Sequence, residues 1–200
     1  GYTESYNLGF MIRGKVVMVV YGVSVSPSPV SPGDKIILIS FCSSVKNHGT
    51  YDAENFVELE SAIASLTLCP GTNIYDALKE AIREIRKVEE GRLSRIVLVT
   101  DGQPTSGVKN VKKFIELARQ SPAPIITIGI GPDYNELLLS SISRQSAGYF
   151  EHVITSKQLM EVIEEQVIKL TRVIASNVTL KLIPNDPVID IIIPYVRTIS

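Results

Sequence analysis

Ile96-Val97-Leu98-Val99-Thr100-Asp101-Gly102 is the stretch whose reading decides the fold. An unbroken Ile/Val/Leu run has the pattern of a strand buried on both faces, as in a parallel sheet. In such sheets the loops leaving the carboxyl ends of the strands form the ligand crevice. Asp101 therefore stands where a cation or a partner would be met. The same Asp-Gly pair also suits a plain turn or a helix cap.

Outward from this strand the hydrophobic period alternates between strand and helix. Upstream, Ile74, Leu78, Ile82 and Ile85 make one stripe at helical spacing, opened by Thr72 or Asn73 as a cap and closed by Gly91. Ala53 to Leu66 carries Phe56, Leu59, Ile63 and Leu66 on one helical face, and Lys35 to Phe41 is a strand introduced by the turn Ser31-Pro32-Gly33-Asp34. Downstream, Val108 to Arg119 is a short helix with Val111, Ile115 and Leu117/Ala118 inward. Ile125 to Ile130 is a buried strand, Tyr134 to Ser143 a leucine-rich helix, Tyr149 to Val153 a short strand, and Ser156 to about Thr171 a helix. Strands separated by helices imply βαβ units. The expected class is α/β: a doubly wound, mainly parallel sheet flanked by helices.

Both ends break the rhythm. Val16 to Tyr21 reads as a strand, preceded by a short apolar stretch at Phe10-Met11-Ile12. Asn177 to Ile183 and Val188 to Ile193 alternate across Pro184-Asn185-Asp186-Pro187, as strands of an appendage would. The expected division is an N-terminal β segment over 1–30, an α/β domain over 31–175, and the start of a β appendage over 176–200. The strands at the end suggest a fragment of a larger protein.

Composition narrows the function. The chain is 44% hydrophobic and 20% charged, enough to fill a core. Lys and Arg number 20 against 21 Asp and Glu, a net charge of −1. Nucleic acid or an anionic membrane would need a concentrated basic surface, so neither is the expected partner. No apolar run approaches the ~20 residues of a membrane span. Residues 11–21 lack a cleavage site and are not read as a signal peptide. The compartment stays open, with a lean toward the cytoplasm. Cys42 and Cys69 lack metal-site spacing and are expected to be buried free thiols, with a disulfide as the minority reading. His48 and His152 stand alone and read as surface or turn residues. No phosphate-cradling or nucleophile motif is present, so no catalytic or cofactor-binding residue is assigned.

Five stretches, in this order, resemble the von Willebrand factor A domain family: SPGDKIILISF (31–41), PGTNIYDAL (70–78), IVLVTDGQPTSG (96–107), ITIGIG (126–131) and DYNELLLSSIS (133–143). The resemblance implies a doubly wound α/β sheet that binds protein ligands at its top edge, in many members through a metal-ion-dependent adhesion site. That site uses Asp-x-Ser-x-Ser after the first strand, a Thr from a second loop and an Asp after the fourth strand. By resemblance Thr72 is that Thr and Asp101 that Asp. Ser24 and Ser26 match the two serines, but Gly22 stands where the family has its first Asp. A further departure is length. Family members carry a helix between the first motif and SPGD, and here only Pro27-Ser28-Pro29-Val30 intervenes. A parallel crossover needs a dozen or more residues. Either residues are omitted there, or the first strand and helix are replaced. If replaced, the N-terminal strands pair antiparallel or join the C-terminal strands in a small sandwich.

With one carboxylate gone, Mg²⁺ binding is expected to be weak or absent. The expected function is a non-enzymatic module that recognises another protein, through an acidic side chain of that protein, at a complete or degenerate adhesion site. The alternative is a structural domain with no metal or ligand at that edge. A metal- or phosphate-dependent enzyme has the least support.

Overall fold

The computed structural model describes residues 15–22, 35–52, 56–66, 69–88, 93–155, 157–159 and 161–162. Within them lie strands β1 (Lys15–Gly22), β2 (Lys35–Phe41), β3 (Val45–Asp52), β4 (Leu93–Thr100), β5 (Ile125–Ile130) and β6 (Phe150–Val153). The helices are α1 (Phe56–Ala64), α2 (Ile74–Ile85), α3 (Val111–Arg119) and α4 (Glu136–Gln145). The strands form one sheet in the order β3-β2-β1-β4-β5-β6.

The sheet is covered on both sides, which is why its strands read as unbroken apolar runs. Alternate residues along a strand point to opposite faces. Ile37, Ile39, Phe41, Ile96, Leu98 and Ile125 pack with Ile74, Leu78 and Ile82 of α2, Phe114 of α3 and Leu138 of α4. Ile36, Leu38, Val97, Val99, Ile126, Ile128 and Val153 pack on the other face with Leu59 of α1 and with Leu159. Each such side chain taken fully out of water contributes about 1.5–3 kcal/mol. The face that a first helix would hide is thus covered by α1 and by the helical residues near Leu159.

Winding on both faces and the α/β class agree with the sequence reading. The strand directions differ in one half. β4, β5 and β6 are parallel, whereas β1 is antiparallel to both β2 and β4, and β3 is antiparallel to β2. Parallel pairing is therefore confined to the carboxyl half of the sheet. The connection from β1 to β2, residues 23–34, is at the lower limit for a parallel crossover, and β2 lies alongside β1 in the opposite sense. Of the two replacements foreseen, β1 takes the antiparallel one, and it sits in the middle of the main sheet. The strands expected at 10–12, 177–183 and 188–193 lie outside the described residues.

Two local readings are corrected. In α3 the buried stripe is Phe114, Leu117 and Ala118, while Ile115 is half-buried. β3 (VKNHGTYD) was not foreseen. It is an edge strand, half-buried only at Val45, His48 and Tyr51. Polar residues and a glycine suit an unpaired edge, where they discourage pairing with other chains, and the same composition hides the strand from a hydrophobic pattern.

Candidate functional site

β2, β4, β5 and β6 all end at the same edge of the sheet, because β2 and β4 both oppose β1. The loops 42–44, 101–110 and 131–135 and the residues that follow β6 leave there, and the loop 69–73 arrives at the start of α2. This is the carboxyl edge of β2 and of the parallel strands β4, β5 and β6, the side on which wound sheets usually bind ligands.

Thr72 and the Asp101–Gly102 turn come together at this edge. Thr72 is buried, 5% exposed, and Asp101 is exposed. A Cβ placed on Gly102 would lie 3.8 Å from Thr72 Oγ1, which puts that hydroxyl beside the Asp101 turn. The loops are tied through the backbone. The Thr72 N–H donates to Thr105 Oγ1 at 2.9 Å. The Thr72 carbonyl accepts from the N–H groups of Thr105 (3.0 Å) and Ser106 (3.2 Å). Asp101 is in no ion pair among the described residues.

Asn73, not Thr72, caps α2. Its Oδ1 accepts from the Asp76 N–H at 3.2 Å, and its Nδ2 donates to Asp76 Oδ2 at 2.8 Å. The Asn73 N–H reaches back to the Cys42 carbonyl at 2.7 Å, and the Ser43 N–H donates to the Pro70 carbonyl at 3.0 Å. This leaves the Thr72 side chain free of capping duty. Replacing Asn73 by Ala removes the cap and is expected to lower stability by about 1 kcal/mol. Urea denaturation checks it.

The loops are packed too tightly for side chains at two glycines. Gly71 has φ +88°, and a Cβ there would lie 2.6 Å from Ser106 Oγ. Gly107 has φ +69°, and a Cβ there would overlap the Asn73 carboxamide. Only glycine combines a left-handed backbone with such an approach.

Cys42 and Cys69 form a disulfide with a Cα–Cα distance of 5.7 Å. This overturns the expectation of free buried thiols. The sheet brings the loop leaving β2 against the loop entering α2, and a sequence separation of 27 with no local motif gave no sign of it. The bond fastens residues three positions before Thr72.

Ser24 and Ser26 lie outside the described residues. The strand leading to them is described, and it runs away from the site. Gly22 pairs with Leu93, whereas Lys15 pairs with Thr100. No group of three or more His, Cys, Asp or Glu residues placed to hold a metal ion occurs among the described residues.

The two histidines lie on strands rather than in turns. His48 Nε2 is 2.7 Å from Ser40 Oγ, and burial, helped by Lys46, holds its pKa below the ordinary value. His152 Nδ1 is 2.7 Å from the Tyr134 hydroxyl. Among the described residues no carboxylate hydrogen-bonds to His48, so Ser40 and His48 do not complete a nucleophile triad.

Known proteins share this fold. The von Willebrand factor type A domain family matches residues 15–166. Inter-alpha-trypsin inhibitor heavy chain H4 of Bos taurus is 29% identical over 132 residues, which cover 60% of this chain and 14% of that protein. The chain thus spans only about a seventh of that relative. Among solved structures, proximal thread matrix protein 1 from the mussel byssus, with a zinc-occupied adhesion motif, has a TM-score of 0.52 and 26% identity. It covers 66% of this chain and 33% of its own. The ArnB paralog VWA2 from Sulfolobus acidocaldarius shares the fold, with a TM-score of 0.55 and 21% identity over 78% of this chain and 51% of its own. With the family matched across most of its length, the chain belongs to the von Willebrand factor type A domain family.

Proposed function

We propose that this domain is a non-enzymatic protein-recognition module that meets its partner at the edge bearing Asp101. One observation carries the reading: an exposed, unpaired carboxylate stands on loops that are locked together by the Thr72 and Asn73 hydrogen bonds and by the Cys42–Cys69 disulfide. A preordered surface loses little entropy on association. Family membership supports the same role. The cleft between α2 and α3, lined by Lys79, Glu80, Arg83, Arg86 and Glu116, includes neither Thr72 nor Asp101.

The disulfide further supports work in an oxidising compartment rather than the cytoplasm. Such bonds persist in secreted and periplasmic proteins and are rare in the reducing cytosol.

The test is partner capture from an extract of the source, with wild type, Asp101→Lys and, as a control on the exposed face of α2, Lys79→Glu. Asp101→Lys is expected to weaken capture at least tenfold, and Lys79→Glu to leave it unchanged. Equal recovery with all three proteins would mean a structural domain with no ligand at this edge.

A further inference from the structure

We infer that the Cys42–Cys69 bond is a reducible latch: a dithiol reductant acting on it frees the loop 69–73 from the sheet edge while the domain stays folded. This half stands alone. Its consequence, that reduction weakens recognition at the Asp101 edge, rests on the role proposed above.

The place of the bond in the fold carries the argument. α1 packs on one face of the sheet through Leu59, and α2 on the other through Ile74, Leu78 and Ile82. The chain linking the two helices has to cross the edge, and residues 69–73 do so beside the end of β2. There the disulfide joins Cys69 to the residue that follows Phe41, the last of β2. Hydrogen bonds support the same corner. The Ser43 N–H donates to the Pro70 carbonyl, the Asn73 N–H to the Cys42 carbonyl, and Asn73 Nδ2 to the Ser43 carbonyl at 3.4 Å. Hydrogen bonds of this kind contribute modestly, because water offers the same groups other partners. With the covalent tie cut, the corner opens and closes locally.

The two half-cystines are unequally placed. Cys69 is exposed, whereas Cys42 is buried, 5% exposed. A thiolate arriving from solvent therefore attacks Cys69 Sγ. It bonds to that sulfur, the S–S bond breaks, and Cys42 Sγ leaves with the electron pair. Ser44 Oγ lies 3.6 Å from Cys42 Sγ and can turn its hydrogen toward the departing thiolate. The second thiolate of the reductant then attacks its own sulfur in the mixed disulfide and expels the Cys69 thiolate. The dithiol ends as a disulfide, oxidised by two electrons, and its two protons end on Cys42 and Cys69. Accessible disulfides are the labile and regulatory ones, whereas structural bonds resist such exchange.

Reduction is felt at the site because Thr72 stands between two anchors. On one side, three positions back, is Cys69. On the other, the Thr72 N–H and carbonyl hold Thr105 and Ser106. When the loop 69–73 opens, Thr72 is drawn from those partners, and the loop that begins at Asp101 loses them in turn. The rest of the domain does not depend on the bond. α2 keeps its buried stripe at Ile74, Ala77, Leu78, Ala81, Ile82 and Ile85, and β4, β5 and β6 keep their ladders.

Hydrogen–deuterium exchange of the full chain, read by mass spectrometry, tests the first half on oxidised wild type, on wild type held in dithiothreitol, and on a Cys42→Ser/Cys69→Ser double variant. Alkylation counts the thiols, and circular dichroism checks folding. Dithiothreitol is expected to open the bond without denaturant and to leave the circular dichroism unchanged. Exchange over 69–73 and 105–107 is expected to rise at least tenfold, while 125–130 stays as it was. The double variant should match the reduced chain and ignore the reductant, and oxidised glutathione should restore slow exchange in wild type. A bond that resists dithiothreitol until denaturant is added would overturn the inference. So would unchanged exchange after reduction, or loss of the whole fold. For the second half, the double variant is expected to capture the partner at least tenfold more weakly than oxidised wild type. Equal capture despite faster exchange would overturn that half. Failure of the recognition role shows separately, as capture indifferent to Asp101→Lys, whatever the exchange gives.

Discussion

Replacing Cys42 and Cys69 together by serine is expected to lower the unfolding free energy by about 3.5 kcal/mol. Loop-closure entropy sets this magnitude: a cross-link spanning a sequence separation of 27 removes that much freedom from the unfolded chain. Two contributions follow in the folded state. The hydrogen bonds from Ser43 to Pro70 and from Asn73 to Cys42 bridge the same two loops and lose their covalent backing. Thr72, between them and the Asp101 turn, should then be held less firmly, and partner affinity should fall with stability. Urea denaturation of the oxidised wild type, the reduced wild type and the double serine variant checks the prediction. The two thiol-free or reduced forms should agree with each other and differ from the oxidised one. A difference below about 1 kcal/mol would mean that the bond does not form in solution.

Phe114→Ala is expected to have the largest effect of any single change in α3, about 3–5 kcal/mol. The ring is wholly buried and contributes to the core between the sheet and its three helices on that side. It also meets Tyr75 edge to face, with ring centroids 5.3 Å apart and planes at 84°. Such pairs contribute about 0.5–1.5 kcal/mol beyond burial. Tyr75 sits in the first turn of α2, three residues after Thr72, so the ring also braces the site from below. Phe114→Leu refills most of the volume and should lose much less. Chemical denaturation of both variants, with a Tyr75→Leu/Phe114→Leu double-mutant cycle, separates the ring contact from the cavity.

The parts of the fold that were legible in sequence are those where one physical signal dominated. Ile96 to Thr100 and Ile125 to Ile130 are buried on both faces, so they appear as unbroken apolar runs with no competing reading. The α2 stripe at Ile74, Leu78, Ile82 and Ile85 was equally plain, because its exposed face is almost entirely charged. Thr72 and Asp101 were legible only through the ordered motifs around them, since a Thr before a helix and an Asp after a strand are commonplace alone. What escaped was set by context. β3 is mostly polar because it is an edge. Phe114 was passed over for Ile115 because both fit a helical period and only the packing angle separates them. The disulfide depends on two loops that are distant in sequence and adjacent only once the sheet is built. The direction of β1 could be narrowed by counting the residues before Ser31, yet choosing between an antiparallel core strand and a separate sandwich required the register itself.

The central place of β1 has a consequence for synthesis. It can zip to β2 early, as local chain neighbours, but its other side stays open until Leu93–Thr100 has emerged from the ribosome. Throughout that interval the middle of the future sheet is a raw margin of unpaired amides and carbonyls, the kind that recruits foreign strands. A nascent chain stalled or cut before β4 would be sticky rather than merely incomplete, and the polar β3 guards only the opposite side of that half-built layer.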